Sequence, residues 1–155
     1  MIRILFIATL ILWVGTQVGF AADTPKAEDQ AKEAVEQFVK AVKAKDVDAT
    51  LKIAGVPWFA DGKRVIKDAD EFKKYVKEKL DGLTDPERVP SQVLKVEPWE
   101  KFTGRGRLGA EEAKMADEVL GKSGLAVVIG RDGKEAGVIL VRVDEGKAKV
   151  VGVGN

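Results

Sequence analysis

Apolar residues recur at Ala27, Ala31, Ala34, Val35, Phe38 and Val42, while Lys32, Glu33, Glu36 and Lys40 fill positions between them. Side chains three and four positions apart share one face of a helix, so the pattern predicts a one-sided helix running to about Lys45. Thr24-Pro25 suits its start, an N-cap residue followed by a proline whose missing N–H costs nothing there. DVDATLKIAG predicts a second, shorter helix, with Asp46 as its cap, Val47, Leu51 and Ala54 apolar, and Gly55 as a left-handed stop. Asp68 and Glu71 form a D-x-x-E start for a third, in which Phe72, Tyr75, Val76 and Leu80 line one face before Gly82.

Strand signals surround these helices. VPWFADGKRVIK is aromatic and β-favouring on each side of Asp61-Gly62, which predicts a hairpin. Residues 82–91, with Pro86 and Pro90, read as a loop, and Gln92 to Phe102 as a longer strand bent or bulged at Pro98. After the helical run AEEAKMADEVLG, the segments GLAVVIG, EAGVILVRV and AKVVGVGN are joined by the Gly-containing turns RDGK and DEGK. Three strands so connected make an antiparallel meander. Helices early and antiparallel strands late give the α+β class, with three N-terminal helices packed over one face of a curved antiparallel sheet and an added helix near 109–120. Within VILVRV, Ile139, Val141 and Val143 lie opposite Val138 and Leu140, so both faces of this strand are apolar. One face covers the helices or a pocket. The other is expected to be covered by a second copy in a homodimer, or by the added helix through Met115, Ala116 and Val119.

The first residues, MIRILFIATLILWVGTQVGFAAD, change where the protein is expected to work. One basic residue (Arg3), an apolar run from Ile4 to about Val18 and small residues at Gly19 and Ala21 read as a secretory signal peptide spanning 1–21. Gly15, Thr16 and Gln17 interrupt the run, which is shorter than the roughly 18–20 apolar residues of a stable span. Residues 22–155 are then one exported domain, periplasmic or extracellular, with no membrane association after cleavage. The chain has 26 basic and 25 acidic residues, and the leader removes only Arg3, so no basic stripe marks it as a nucleic-acid binder. Cysteine is absent, which excludes disulfides and a lipid-modified N-terminus; histidine is absent too, which removes the commonest general base and transition-metal ligand. No metal or other cofactor is expected.

FTGRGRLGAEE places Gly104, Gly106 and Gly109 in a G-x-G-x-x-G spacing. A dinucleotide loop of that form needs a parallel strand after its helix, and here an antiparallel meander follows. Arg105 and Arg107 keep a claim on a phosphate, sulfate or carboxylate ahead of the helix start, against a solvated loop in which they pair with nearby glutamates such as Glu111 and Glu112. Lys73, Lys74, Lys77 and Lys79 ring the apolar stripe of the third helix, as on a solvated face or one that contacts an acidic polymer.

The run EAVEQFVKAVKAKDVDATLKIAGVPWFADGKRVIKDADEFKKYV resembles the N-terminal half of the nuclear transport factor two-like, or SnoaL-like, superfamily. The resemblance rests on a first helix, a D-v-d-a second helix, a p-F-x-x-D-G hairpin, a third helix and a curved terminal sheet; it lapses at about residues 104–121. It implies a cone with a small apolar pocket beneath the helices. Trp58, Phe59, Tyr75 and Trp99 are the aromatics expected to line it, or to fill it as core. Arg142 shares a strand face with Val138 and Leu140: it points into the pocket, with Glu97 or Glu100 as partner, or reaches water beside Asp144. Enzymes of the superfamily generally use Asp with Tyr or with His, whereas this chain has a single Tyr and no His, and Asp61 reads as a turn residue at the rim. The expected function is a non-enzymatic binding or assembly module with an unidentified apolar ligand. The alternative is a small-molecule isomerase, lyase or hydrolase with a carboxylate in the cone.

Overall fold

The computed structural model describes residues 26–154. The segment expected to be a leader, its expected cleavage point and the expected Thr24-Pro25 helix start lie outside the described residues. The first helix, α1 (Ala27–Lys43), buries Ala31, Ala34, Val35, Phe38, Val39 and Ala41, with Glu28 and Asp29 in its first turn and Lys40 and Lys43 in its last, each charge suiting the helix dipole. It stops short of Lys45, which takes φ 54° and turns the chain toward Asp46. There the Asp46 carboxylate accepts the Ala49 N–H at 2.9 Å and starts α2 (Val47–Ile53).

Gly55 makes no left-handed stop. Ala54 is already extended (φ −89°, ψ 160°), and α2 passes directly into β1 (Ala54–Ala60), where Ala54 pairs with Val150. At the hairpin tip Asp61 and Gly62 both have positive φ (53° and 68°), and the Lys63 N–H bonds the Ala60 carbonyl at 3.0 Å, the geometry of a type I′ turn. β2 (Arg64–Ile66) returns from it. Asp68 then caps α3 (Ala69–Asp81) by accepting the Glu71 N–H at 2.8 Å. The Glu71 side chain pairs with Arg64 at 3.2 Å.

β3 (Gln92–Pro98) is shorter than expected, because Pro98 closes it and residues Trp99–Lys101 tighten into a 3₁₀ turn. A register shift falls between Val93 and Lys95. The chain continues through α4 (Ala110–Leu120) into β4 (Gly124–Arg131), β5 (Lys134–Asp144) and β6 (Lys147–Gly154).

Six strands form one open sheet in the order β2-β1-β6-β5-β4-β3. It is mixed, not wholly antiparallel: β1 and β6 are parallel, matched at Ala54 with Val150 and at Phe59 with Gly152. The reason lies in the helices. α1 lies across β6, β5 and β3, and α2 packs on both α1 and β6, which brings the chain to β6's free edge running in β6's direction.

Strand alternation divides the core into two layers. Leu125, Val127, Ile129, Ile139, Val141 and Val150 meet Val35 and Phe38 of α1 and Phe72 and Val76 of α3. On the opposite face Ala126, Leu140 and Val151, with Phe59 and Trp99, meet Ala116, Val119 and Leu120 of α4. The second apolar face of β5 is thus covered from within the chain.

Candidate functional site

β1 and β6 make their last match at Phe59 and Gly152, and beyond it the hairpin tip parts from the rest of the sheet. A groove of about 940 Å³ runs around this end. Its lining includes Phe38, Trp58, Tyr75 and Leu80 on the α1–α3 side, Gly137 and Gly154 where β5 starts and β6 finishes, and Trp99, Phe102 and Leu108 on the α4 side.

All four aromatics singled out in the sequence line this groove, but on two sides of the sheet. Trp58 stacks at a tilt among Phe38, Phe72 and Tyr75, with ring centroids at 6.3, 5.0 and 6.4 Å. Phe59, its neighbour in sequence, points the other way and packs with Trp99 beneath α4.

The groove has one polar corner. Asp61 Oδ1 accepts the Tyr75 hydroxyl at 3.1 Å and Lys79 Nζ at 2.8 Å, while Lys79 and Arg64 stand 5.3 and 5.9 Å from the centre of the Tyr75 ring. The Lys79 hydrogen bond holds the Asp61 carboxyl below the usual carboxylate range, against some loss of hydration and with help from Tyr75. Lys79 is raised in return, chiefly by its bond to Asp61. Burial, followed by the Asp61 charge, pushes the Tyr75 hydroxyl up. The Trp58 N–H pulls Tyr75 in the opposite direction. It nonetheless closes no hydrogen bond: Trp58 is 4% exposed and its Nε1 is without a partner. A buried N–H left unpaired costs about 1–3 kcal/mol.

The arginines are distributed differently from the expectation. Arg105 forks onto Asp117 at 3.1 and 2.6 Å, and the same carboxylate accepts Trp99 Nε1 at 2.6 Å. Its donors therefore hold the loop to α4, and the local pairing with Glu111 or Glu112 does not form. Arg107 is exposed at the groove and makes no ion pair among the described residues. Arg142 is outside the groove lining: it bonds Asp144 at 2.5 Å and the Val119 carbonyl at 3.1 Å, a cation at the C-terminal turn of α4. Neither Glu97 nor Glu100 is its partner; Glu97 pairs with Lys95 at 2.6 Å.

Of the three glycines only Gly104 is held by close packing, and a Cβ at Gly106 would meet open space. Gly104, Gly106 and Gly109 all keep negative φ; a Cβ at Gly104 would run into the Phe102 ring, and one at Gly109 into the Glu112 carboxylate. Two of the site's polar residues were missed in the sequence. Lys79 was grouped with the solvated lysines of α3, although it sits one turn after Tyr75 on the groove side. Asp117 carries no signal of its own, since only the fold brings Trp99 and Arg105 to it. Among the described residues, no group of three or more His, Cys, Asp or Glu side chains is placed to hold a metal ion. No family model, curated protein or solved structure matches the chain.

Proposed function

We propose that this protein is an exported, non-enzymatic binding module whose groove holds a small apolar ligand. We further propose that it is a cone-shaped member of the nuclear transport factor two-like superfamily. The succession helix, helix, hairpin, helix and strands follows the order the resemblance calls for. The observation that carries the binding reading is the groove itself, which is large enough for a drug-sized molecule and walled mainly by aromatic and aliphatic side chains around few polar groups. Asp61 supports binding over acid–base chemistry. A carboxylate held below its ordinary range is fully ionised near neutral pH and is a weak proton acceptor.

Titration of the purified protein with Nile red, an uncharged apolar dye, is expected to give a saturable emission rise with one dye per chain. A weak, non-saturating response would overturn the reading. Self-association is a separate matter. Because α4 occupies the face that a second copy would cover, sedimentation velocity at micromolar concentration is expected to show a monomer. A dimer there would mean that the surface α4 leaves uncovered is enough to hold two copies together.

A further inference from the structure

We infer that the apolar ligand carries a single carboxylate, and that Arg107 at the rim of the groove receives it. This rests on the groove being a ligand site and adds which end of the ligand goes where. Thr103–Arg107 winds as a 3₁₀ turn, in which side chains two positions apart differ by roughly two-thirds of a revolution. Arg105 is forked onto Asp117 of α4, so Arg107 is carried round to another side. There it borders both the groove and a small adjoining cleft of about 70 Å³.

The charges around these two spaces select the head group. Lys79 in the groove is paired with Asp61, and Lys95 in the cleft with Glu97. Arg107 is thus the cation lining either space that has no ion pair among the described residues, and its planar fork matches the two oxygens of a carboxylate. Glu135 borders both spaces as well and is likewise without an ion pair among the described residues. Its charge sets an upper limit on the head: a phosphate monoester, with up to about two negative charges, would be repelled up to about twice as strongly as a carboxylate. Phe102 and Val128 line both spaces, so an alkyl chain whose head is at Arg107 has an apolar path into the groove.

The test compares four probes with the same chain: decanoate, decyl phosphate, 2-decanone and decylammonium, each followed by its displacement of Nile red. Decanoate is expected to bind most tightly, about fivefold better than 2-decanone, the upper end of what an exposed charge pair gives. Raising NaCl from about 20 to about 500 mM should shrink that preference, since the pair is open to solvent. In Arg107→Gln, decanoate and 2-decanone should displace the dye alike, whereas Glu135→Gln should tighten decanoate. If decyl phosphate, 2-decanone or decylammonium binds as tightly as decanoate, or if the decanoate preference survives in Arg107→Gln, the carboxylate assignment falls and the groove remains a ligand site. If neither Nile red nor any of the probes binds, the groove reading itself fails. The ranking of probes and its salt dependence are read in the unaltered protein, so the outcome does not depend on a variant folding.

Discussion

Leu120→Ala is expected to lower the unfolding free energy by about 2–5 kcal/mol, the range for truncating a fully buried leucine. Leu120 is the last residue of α4 and has no exposed surface, packed in the layer that contains Leu140, Val151 and Val119. The loss is large against the roughly 5–15 kcal/mol that holds a typical domain together. In urea unfolding the midpoint should fall with the slope unchanged, since the native surface stays the same. Val153→Ala, at a position 36% exposed, should shift stability by no more than about 0.5 kcal/mol. Equal effects from the two substitutions would show that α4 does not seal a second core layer.

Asp117→Ala is expected to cost about 2 kcal/mol, most of it from the Trp99 N–H, which would be left buried without an acceptor. The Arg105 pair adds little, because both side chains are about two-fifths exposed and water screens them. pH separates this contribution from simple packing. The Arg105 hydrogen bond comes first and the Trp99 bond assists, and together they hold Asp117 below its ordinary range despite partial burial. The unfolded chain therefore takes up the proton more readily, and stability rises with pH across that interval. It is fully present above the unfolded value of about pH 4 and is lost as pH falls through the lower folded value. Asp117→Asn should flatten part of this acid-side decline, seen as a smaller change in Trp99 emission between about pH 2 and 5. Asp61 is lowered in the same direction, so some decline should persist. An unchanged acid profile in Asp117→Asn would remove Asp117 from the account.

Local features of the fold were readable in the sequence because their causes are local. Asp46 and Asp68 cap the helices they were expected to cap, and the hairpin tips at Asp61-Gly62, Asp132-Gly133 and Glu145-Gly146 all take paired positive φ values. What depended on distant segments was not readable. Nothing near Ala54 announces a parallel neighbour, and Gly55 looked like a helix stop only because the strand waiting for Ala54 lies at the far end of the chain. The site shows the same division. Trp58 and Tyr75 were readable as large aromatics that line a pocket or fill the core, and Trp58 is a buried core residue that also borders the groove. Phe59 was placed beside Trp58 although alternation sends it through the sheet; of the two readings of Arg142, the acidic partner in the pocket does not form and the end of the sheet beside Asp144 is where it lies, with a helix carbonyl as its unforeseen second acceptor.

The parallel match between β1 and β6 also sets an order of assembly. The β1–β2 hairpin can bend as soon as it is made, but the edge it joins consists of eight residues, Lys147–Gly154, that leave the ribosome after all the other elements. Until then Trp58 and Phe59 have no sheet beside them, and the exposed hairpin is a natural client for a chaperone that keeps nascent chains unfolded. Contacts spanning so much of the chain also make for slow folding. A late strand that locks an early one in place delays closure of the sheet until β6 has been made.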